Sequence, residues 1–163
     1  MLTLANLQKV CTDQRGIQFG DIEIHTVFTN EESKVNKGLF VPLFNGEEVH
    51  EDLKEAINNG AITALWWKDV SIPKFLPNDF PLFLVEHPLD SLEMVVKEYF
   101  DTKDLKGNGG LDTNLIFSIS NKHIQKKDSY ANAVKEELEK LRDFVHKSCS
   151  MTLIIKEGGE YEC

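Results

Sequence analysis

Residues 38–67, GLFVPLFNGEEVHEDLKEAINNGAITALWW, decide the fold. Gly38-Leu39-Phe40-Val41-Pro42-Leu43 is a short apolar run, closed by Pro42 and followed by Asn45-Gly46, which predicts a buried strand ending in a turn. From Glu51 to Asn59 the side chains of Leu53, Ala56 and Ile57 fall on one helical face, and Gly60 stands where a left-handed residue ends a helix. Ala64-Leu65-Trp66-Trp67 reads as the next strand, with one indole on each of its faces. The stretch is therefore a strand, a helix and a strand.

The flanks continue the alternation. Upstream, Leu4, Leu7 and Val10 are spaced as a short entry helix with Thr3 as its cap, and Ile22 to Val27 alternates apolar and polar residues as a half-buried strand after the Gly20-Asp21 turn. Downstream, Pro73, Pro77 and Pro81 make Lys68 to Pro81 a surface loop. Leu82-Phe83-Leu84-Val85 then has no polar interruption, as in a strand buried on both faces. Leu89, Leu92, Val96 and Tyr99 form a helical stripe, with Asp90 and Glu93 at capping-box spacing. The pattern predicts an α/β fold, a layered sheet flanked by helices.

A hinge or linker is expected over Asp101 to Asp112, where Lys106-Gly107-Asn108-Gly109-Gly110 combines charge with glycine. Beyond it come a strand over Leu115 to Ile119 and a helix over Tyr130 to His146 with Val134, Leu138, Leu141 and Val145 on one face, capped by Asp128-Ser129. A last strand is expected over Met151 to Ile155, with Gly158 to Cys163 fraying. The chain thus divides into a domain over residues 1–104 and a small strand-helix-strand extension over 111–163, packed on it.

Charge narrows the partners. Asp and Glu outnumber Lys and Arg by 27 to 18, giving a net charge of −9 that repels nucleic acid and anionic lipid. A phosphate held by backbone amides and one or two local cations remains compatible with that field. Met1 to Asn6 contains no basic leader and no window of the chain is apolar over a bilayer's length, so a cytoplasmic protein without membrane contact is expected. Cys11, Cys149 and Cys163 are odd in number and far apart, as reduced thiols are. His25, His87, His123 and His146 lack metal-ligand spacing, so no metal is expected, and Glu31-Glu32 and Glu47-Glu48 read as solvated loop charges.

Phe28 to Val41, which contains Glu32-Ser33-Lys34 and then Gly38-Leu39-Phe40-Val41, resembles the Asp-Ser-Arg, Gly and Phe-Val segment of the substrate-binding N-terminal domain of Mur ligases. The order continues through Gly46, His50, Ala56, Gly60-Ala61 and the strand and helix from Leu82 to Phe100, so that about residues 1 to 100 are covered. In that family the domain holds the uridine-diphosphate end of a peptidoglycan precursor. The resemblance implies a ligand site at Ser33, Lys34, Gly46 and His50, with the hydroxyl and imidazole bonding uracil or ribose and the lysine approaching a phosphate.

The sequence departs from the family in three site positions, with Glu32 for aspartate, Lys34 for arginine and Val49 for the glycine before the histidine. It also lacks the glycine-rich loop of the family's ATPase domain: Ser118 to Ser129 at the corresponding strand-to-helix point contains no glycine, so its backbone cannot wrap phosphates. The expectation is a non-catalytic module, without catalytic residues or cofactor, that binds a UDP-linked muramyl peptide or another UDP-sugar. It would sense or regulate cell-wall precursor synthesis. The alternative is a protein-interaction or self-association module that kept the fold and lost the ligand.

Overall fold

The computed structural model describes residues 1–104, 113–148, 154–156 and 160–162. The chain begins with β1 (Leu2–Thr3), α1 (Leu4–Val10), β2 (Gln14–Arg15), β3 (Glu23–Ile24), β4 (Thr26–Phe28), β5 (Gly38–Phe40), α2 (Val49–Asn58) and β6 (Ala61–Trp67). It continues with β7 (Leu82–Val85), α3 (Pro88–Asp104), β8 (Asn114–Ile116), α4 (Asn121–Ile124), α5 (Ser129–Ser148), β9 (Ile154–Lys156) and β10 (Glu160–Glu162). The main sheet runs β2-β7-β6-β5-β4-β8, extended by β10 and β9, while β1 and β3 form a separate antiparallel pair. Strands β7, β6, β5, β4 and β8 are mutually parallel, and β2 and β10 join them antiparallel. The α/β expectation is met.

Strand alternation divides the core into two. Val27, Leu39, Val41, Leu65, Phe83, Leu115 and Phe117 point to the face covered by α1, α3 and α5, where they meet Leu7, Leu92, Val96, Leu138 and Leu141. Their neighbours Phe28, Phe40, Ala64, Trp66 and Leu82 point to the other face, under Leu53 and Ala56 of α2 and Leu76 of the proline-rich loop. Helix and sheet periodicities thus agree on one three-layer arrangement. Both indoles are packed: Trp66 and Trp67 lie in the same cluster, edge to face at 6.3 Å, and the Trp66 N–H donates to the carbonyls of Val70 and Ser71.

Several boundaries differ from those expected. The single strand predicted over Ile22 to Val27 is cut at His25, because Glu23–Ile24 pairs with β1 while Thr26–Phe28 enters the main sheet. At the cut the His25 N–H donates to Lys37 and its carbonyl accepts from Asn114, so the break itself sits inside the hydrogen-bond ladder. The expected strand from Leu115 is shorter and ends at Ile116, where the Thr29 hydroxyl starts to compete for the backbone. Glu160–Glu162, expected to fray, pairs with β8. The expected hinge overlaps the end of α3 at residues 101–104, and its remainder, 105–112, lies outside the described residues, as do 151–153 of the last expected strand. Beyond it, β8 pairs with β4 and α5 packs into the same core as α1 and α3.

At the N-terminal end, the Thr3 N–H donates to the Asn6 side chain at 2.8 Å, the cap that opens α1. Cys11 follows that helix as a free, buried thiol, and burial pushes its pKa up to about 11. In a Cys149→Ser, Cys163→Ser background Cys11 is therefore expected to resist a thiol-disulfide reagent at pH 8 and to react only on unfolding. Absorbance of the released thiolate, with and without denaturant, checks this. No helix among the described residues is long and apolar enough to cross a membrane.

Candidate functional site at the switch point of the sheet

β4 and β8 are neighbours, but the chain leaves their C-terminal ends in opposite senses: β4 leads to β5 on one side, and β8 leads through α4 and α5 toward β10 and β9 on the other. In parallel α/β sheets such a switch point opens a crevice where ligands bind. Here the crevice is held shut at its base. The Thr29 hydroxyl donates to the Ser118 carbonyl at 2.7 Å and accepts from the Ser118 N–H at 3.0 Å. The Asn59 carboxamide donates to the Glu31 carbonyl at 2.8 Å, which ties the turn after β4 to the end of α2.

Above this base three segments converge. Glu31 comes from the turn after β4, Asp52 from the first turns of α2, and His123 from α4, and all three are buried. His123 Nε2 lies 2.8 Å from Asp52 Oδ2 and 3.6 Å from Glu31 Oε1. A carboxylate can only accept, so Nε2 carries the proton and donates to Asp52. The imidazole stacks on Phe44 at 4.9 Å, which fixes its plane. Lys122 reaches over the same group, 2.5 Å from Asp52 Oδ1, 3.7 Å from Glu31 Oε1 and 3.6 Å from Glu55 Oε2.

The electrostatics follow from burial. Loss of water raises the Glu31 pKa, the Ser120 hydroxyl offsets part of this without making a well-formed bond to Oε1, and the charge of Asp52 raises it further. For Lys122 burial acts to lower the pKa, but the carboxylates of Asp52, Glu31 and Glu55 outweigh it and the net shift is upward. Lys122 therefore stays an ammonium beside three carboxyl groups.

The four residues implied by the resemblance lie on the connections that leave β4 and β5: Gly46 and His50 follow the C-terminal end of β5, whereas Ser33 and Lys34 precede Val35, whose N–H bonds the Asn59 carbonyl at the entry to β6. Ser33 donates its N–H to the Asn30 carbonyl at 3.0 Å, and Lys34 beside it is exposed. Gly46 is exposed on the loop before α2, near Lys126, whose ammonium lies 3.5 Å from Glu48 and 5.1 Å from the Phe44 ring centre. His50, on the first turn of α2, is turned toward the proline-rich loop: its Nε2 lies 2.9 Å from the Ser71 carbonyl and its ring 5.9 Å from that of Trp66.

One sequence reading is corrected: Glu31 is not a solvated loop charge, since its side chain is only 3% exposed. His123, which has no metal-ligand spacing in the sequence, stands at the centre of a buried acidic cluster. No local spacing announces this, because the donors lie at 31, 52 and 123 and meet only through the sheet order. The one available signal was the position of each shortly after a strand of the central sheet, Glu31 after β4, Asp52 after β5 and His123 after β8. The neighbouring Glu32 offers Oε2 to the Asn121 N–H that opens α4, at 3.4 Å. Compared with protein-family models and with curated proteins, the chain matches none.

Proposed function

We propose that this chain is a non-catalytic module that binds a UDP-linked muramyl peptide, or a related UDP-sugar, on the connections that follow β4 and β5. The observation that carries the reading is that Ser33 and Lys34 lie on the connection after β4, and Gly46 and His50 on the connection after β5, both of which leave the sheet beside a topological switch point. Lys126, whose ammonium lies 3.9 Å from the position of a Cβ on Gly46, supplies a cation for a diphosphate within a net-negative chain, and Lys34 is exposed on the connection after β4. Gly46 allows close approach, since a Cβ there would meet nothing nearer than the mobile tip of Glu48 at 3.3 Å.

The non-catalytic half of the reading rests on the turn after β8. In place of a glycine-rich loop it carries Ser120 and His123, both buried, with the imidazole packed on Phe44. That arrangement fills the space in which a triphosphate loop would open its amides.

Titration of the purified chain with UDP, UDP-N-acetylglucosamine and UDP-N-acetylmuramyl tripeptide is expected to raise Tm to a plateau. Ser33→Ala is expected to weaken the affinity roughly tenfold, the loss of one ligand hydrogen bond. No rise at millimolar ligand would overturn the assignment. A second reading, the interaction module, is favoured by Ile72 and Phe75, which lie exposed on the proline-rich loop. It requires self-association in light scattering, lost in Phe75→Ser, without any response to UDP-sugars.

A further inference from the structure

We propose that Glu31, Asp52 and His123 form a binding site for one divalent cation of the first transition row. The site is separate from the proposed nucleotide-sugar site and does not depend on it.

The donor set is one imidazole nitrogen and two carboxylate oxygens, each nine-tenths buried or more, from three segments distant in sequence. All three donor atoms lie within 4.8 Å of one another, with His123 Nε2 at 2.8 Å from Asp52 Oδ2 and 3.6 Å from Glu31 Oε1. An ion with ligand bonds of about 2.0–2.2 Å holds its donors at such separations after shifts of less than about 1 Å. Imidazole with carboxylates suits Zn²⁺, Fe²⁺ or Mn²⁺ better than the all-oxygen preference of Mg²⁺ or Ca²⁺.

Two observations beyond the acidic cluster point to a ligand. First, Glu31 Oε1 is buried without a hydrogen-bond partner and lies in the cluster, facing His123. A buried carboxylate oxygen in that condition is costly unless a cation or donor meets it. Second, a cavity of about 10 Å³ lies between Glu31, Asp52, Ser120 and His123 on its polar side and Phe40 and Phe44 on its apolar side. That is room for about one water-sized ligand, and none for a substrate.

Charge balance agrees. Lys122 neutralises one of the two carboxylates, closely through Asp52 Oδ1 and only at 3.7 Å from Glu31 Oε1, which leaves Oδ2 and the Glu31 charge for the ion. On binding, the proton leaves His123 Nε2 and the neutral ring takes one at Nδ1, so that the Nε2 lone pair meets the metal; Asp52 Oδ2 exchanges the His123 N–H for the cation, and Glu31 Oε1, without a donor before, gains one. One water completes four-coordination. The ion would pin the turn after β4, α2 and α4 together, which makes the site structural.

The test uses the full chain with Cys149→Ser and Cys163→Ser, stripped with chelator and dialysed against Zn²⁺. One bound ion per chain is expected. Glu31→Gln and His123→Gln should each weaken binding by at least ~100-fold, since removing a ligand exceeds the effect of removing its outer partner. Glu23→Gln, at the other histidine-carboxylate pair, and Ser33→Ala, at the proposed nucleotide-sugar site, should leave it unchanged. With Co²⁺ as the probe, visible ligand-field bands are expected in the parent and lost in Glu31→Gln. Absence of a stoichiometric ion, which would leave the cavity to an ordered water, overturns the proposal, as does binding retained in Glu31→Gln. That variant removes only a buried charge, so it keeps the test decisive if His123→Gln does not fold.

Discussion

Asp52→Ala is expected to cost the metal-free fold about 3 kcal/mol. The carboxylate is 4% exposed and receives both the His123 N–H and the Lys122 ammonium. Its removal leaves a buried imidazole N–H without its closest acceptor and leaves Lys122 to Glu31 and Glu55, whose oxygens stand 3.7 and 3.6 Å away. Relief of repulsion on Glu31 recovers a part of this, because the charge of Asp52 helps to raise the Glu31 pKa. Asp52→Asn keeps an acceptor for His123 and should lose about half as much. Urea unfolding in the presence of chelator checks both; a loss below about 1 kcal/mol for the alanine variant would show that the cluster does not hold α4 against α2.

The second large effect is expected at Gly60, the residue that turns α2 into β6. Its φ of +120° is one that side chains rarely adopt, and a Cβ there would stand 2.0 Å from the Val35 carbonyl oxygen. That oxygen cannot retreat, because the Val35 N–H is bonded to Asn59 at 2.8 Å and the Gly38 N–H to Gly60 itself at 2.9 Å. Gly60→Ala must therefore push β5 away from β6 at the place where their register already shifts, between Gly38 and Leu39. A cost on the order of 3 kcal/mol is expected, read as a fall in the urea midpoint. Gly46→Ala, with open surroundings, is expected to stay within about 0.5 kcal/mol of the parent.

Much of this fold is legible in the chain, for local reasons. The strand, helix and strand of residues 38–67 are visible because each is a closed pattern: an apolar run with a proline stop, a three-residue helical face, and a glycine at the turn. The helix from Ser129 to Ser148 shows through Val134, Leu138, Leu141 and Val145, all buried on one face. What is hidden is hidden by pairing. Nothing between Ile22 and Val27 says that the two halves of that alternation belong to different sheets, because period 2 fixes a face and not a partner. Ser33, Lys34, Gly46 and His50 are proposed from a resemblance over about 100 residues and not from any local pattern. The cluster at Glu31, Asp52 and His123 depends on the place of β8 next to β4, and composition contains no record of that.

The same pairing governs how the molecule is made. β4 at residues 26–28 waits for β8 at 114–116, so the central parallel pair closes a loop of more than half the chain. During synthesis β4, β5, β6 and β7 can align first, and in that interval the free side of β4 is an open edge, with Val27 and Phe28 beside it. The emerging protein is expected to be most prone to aggregate between the completion of β7 at Val85 and that of β8 at Ile116. The buried cluster, which needs His123, is among the last structures to form.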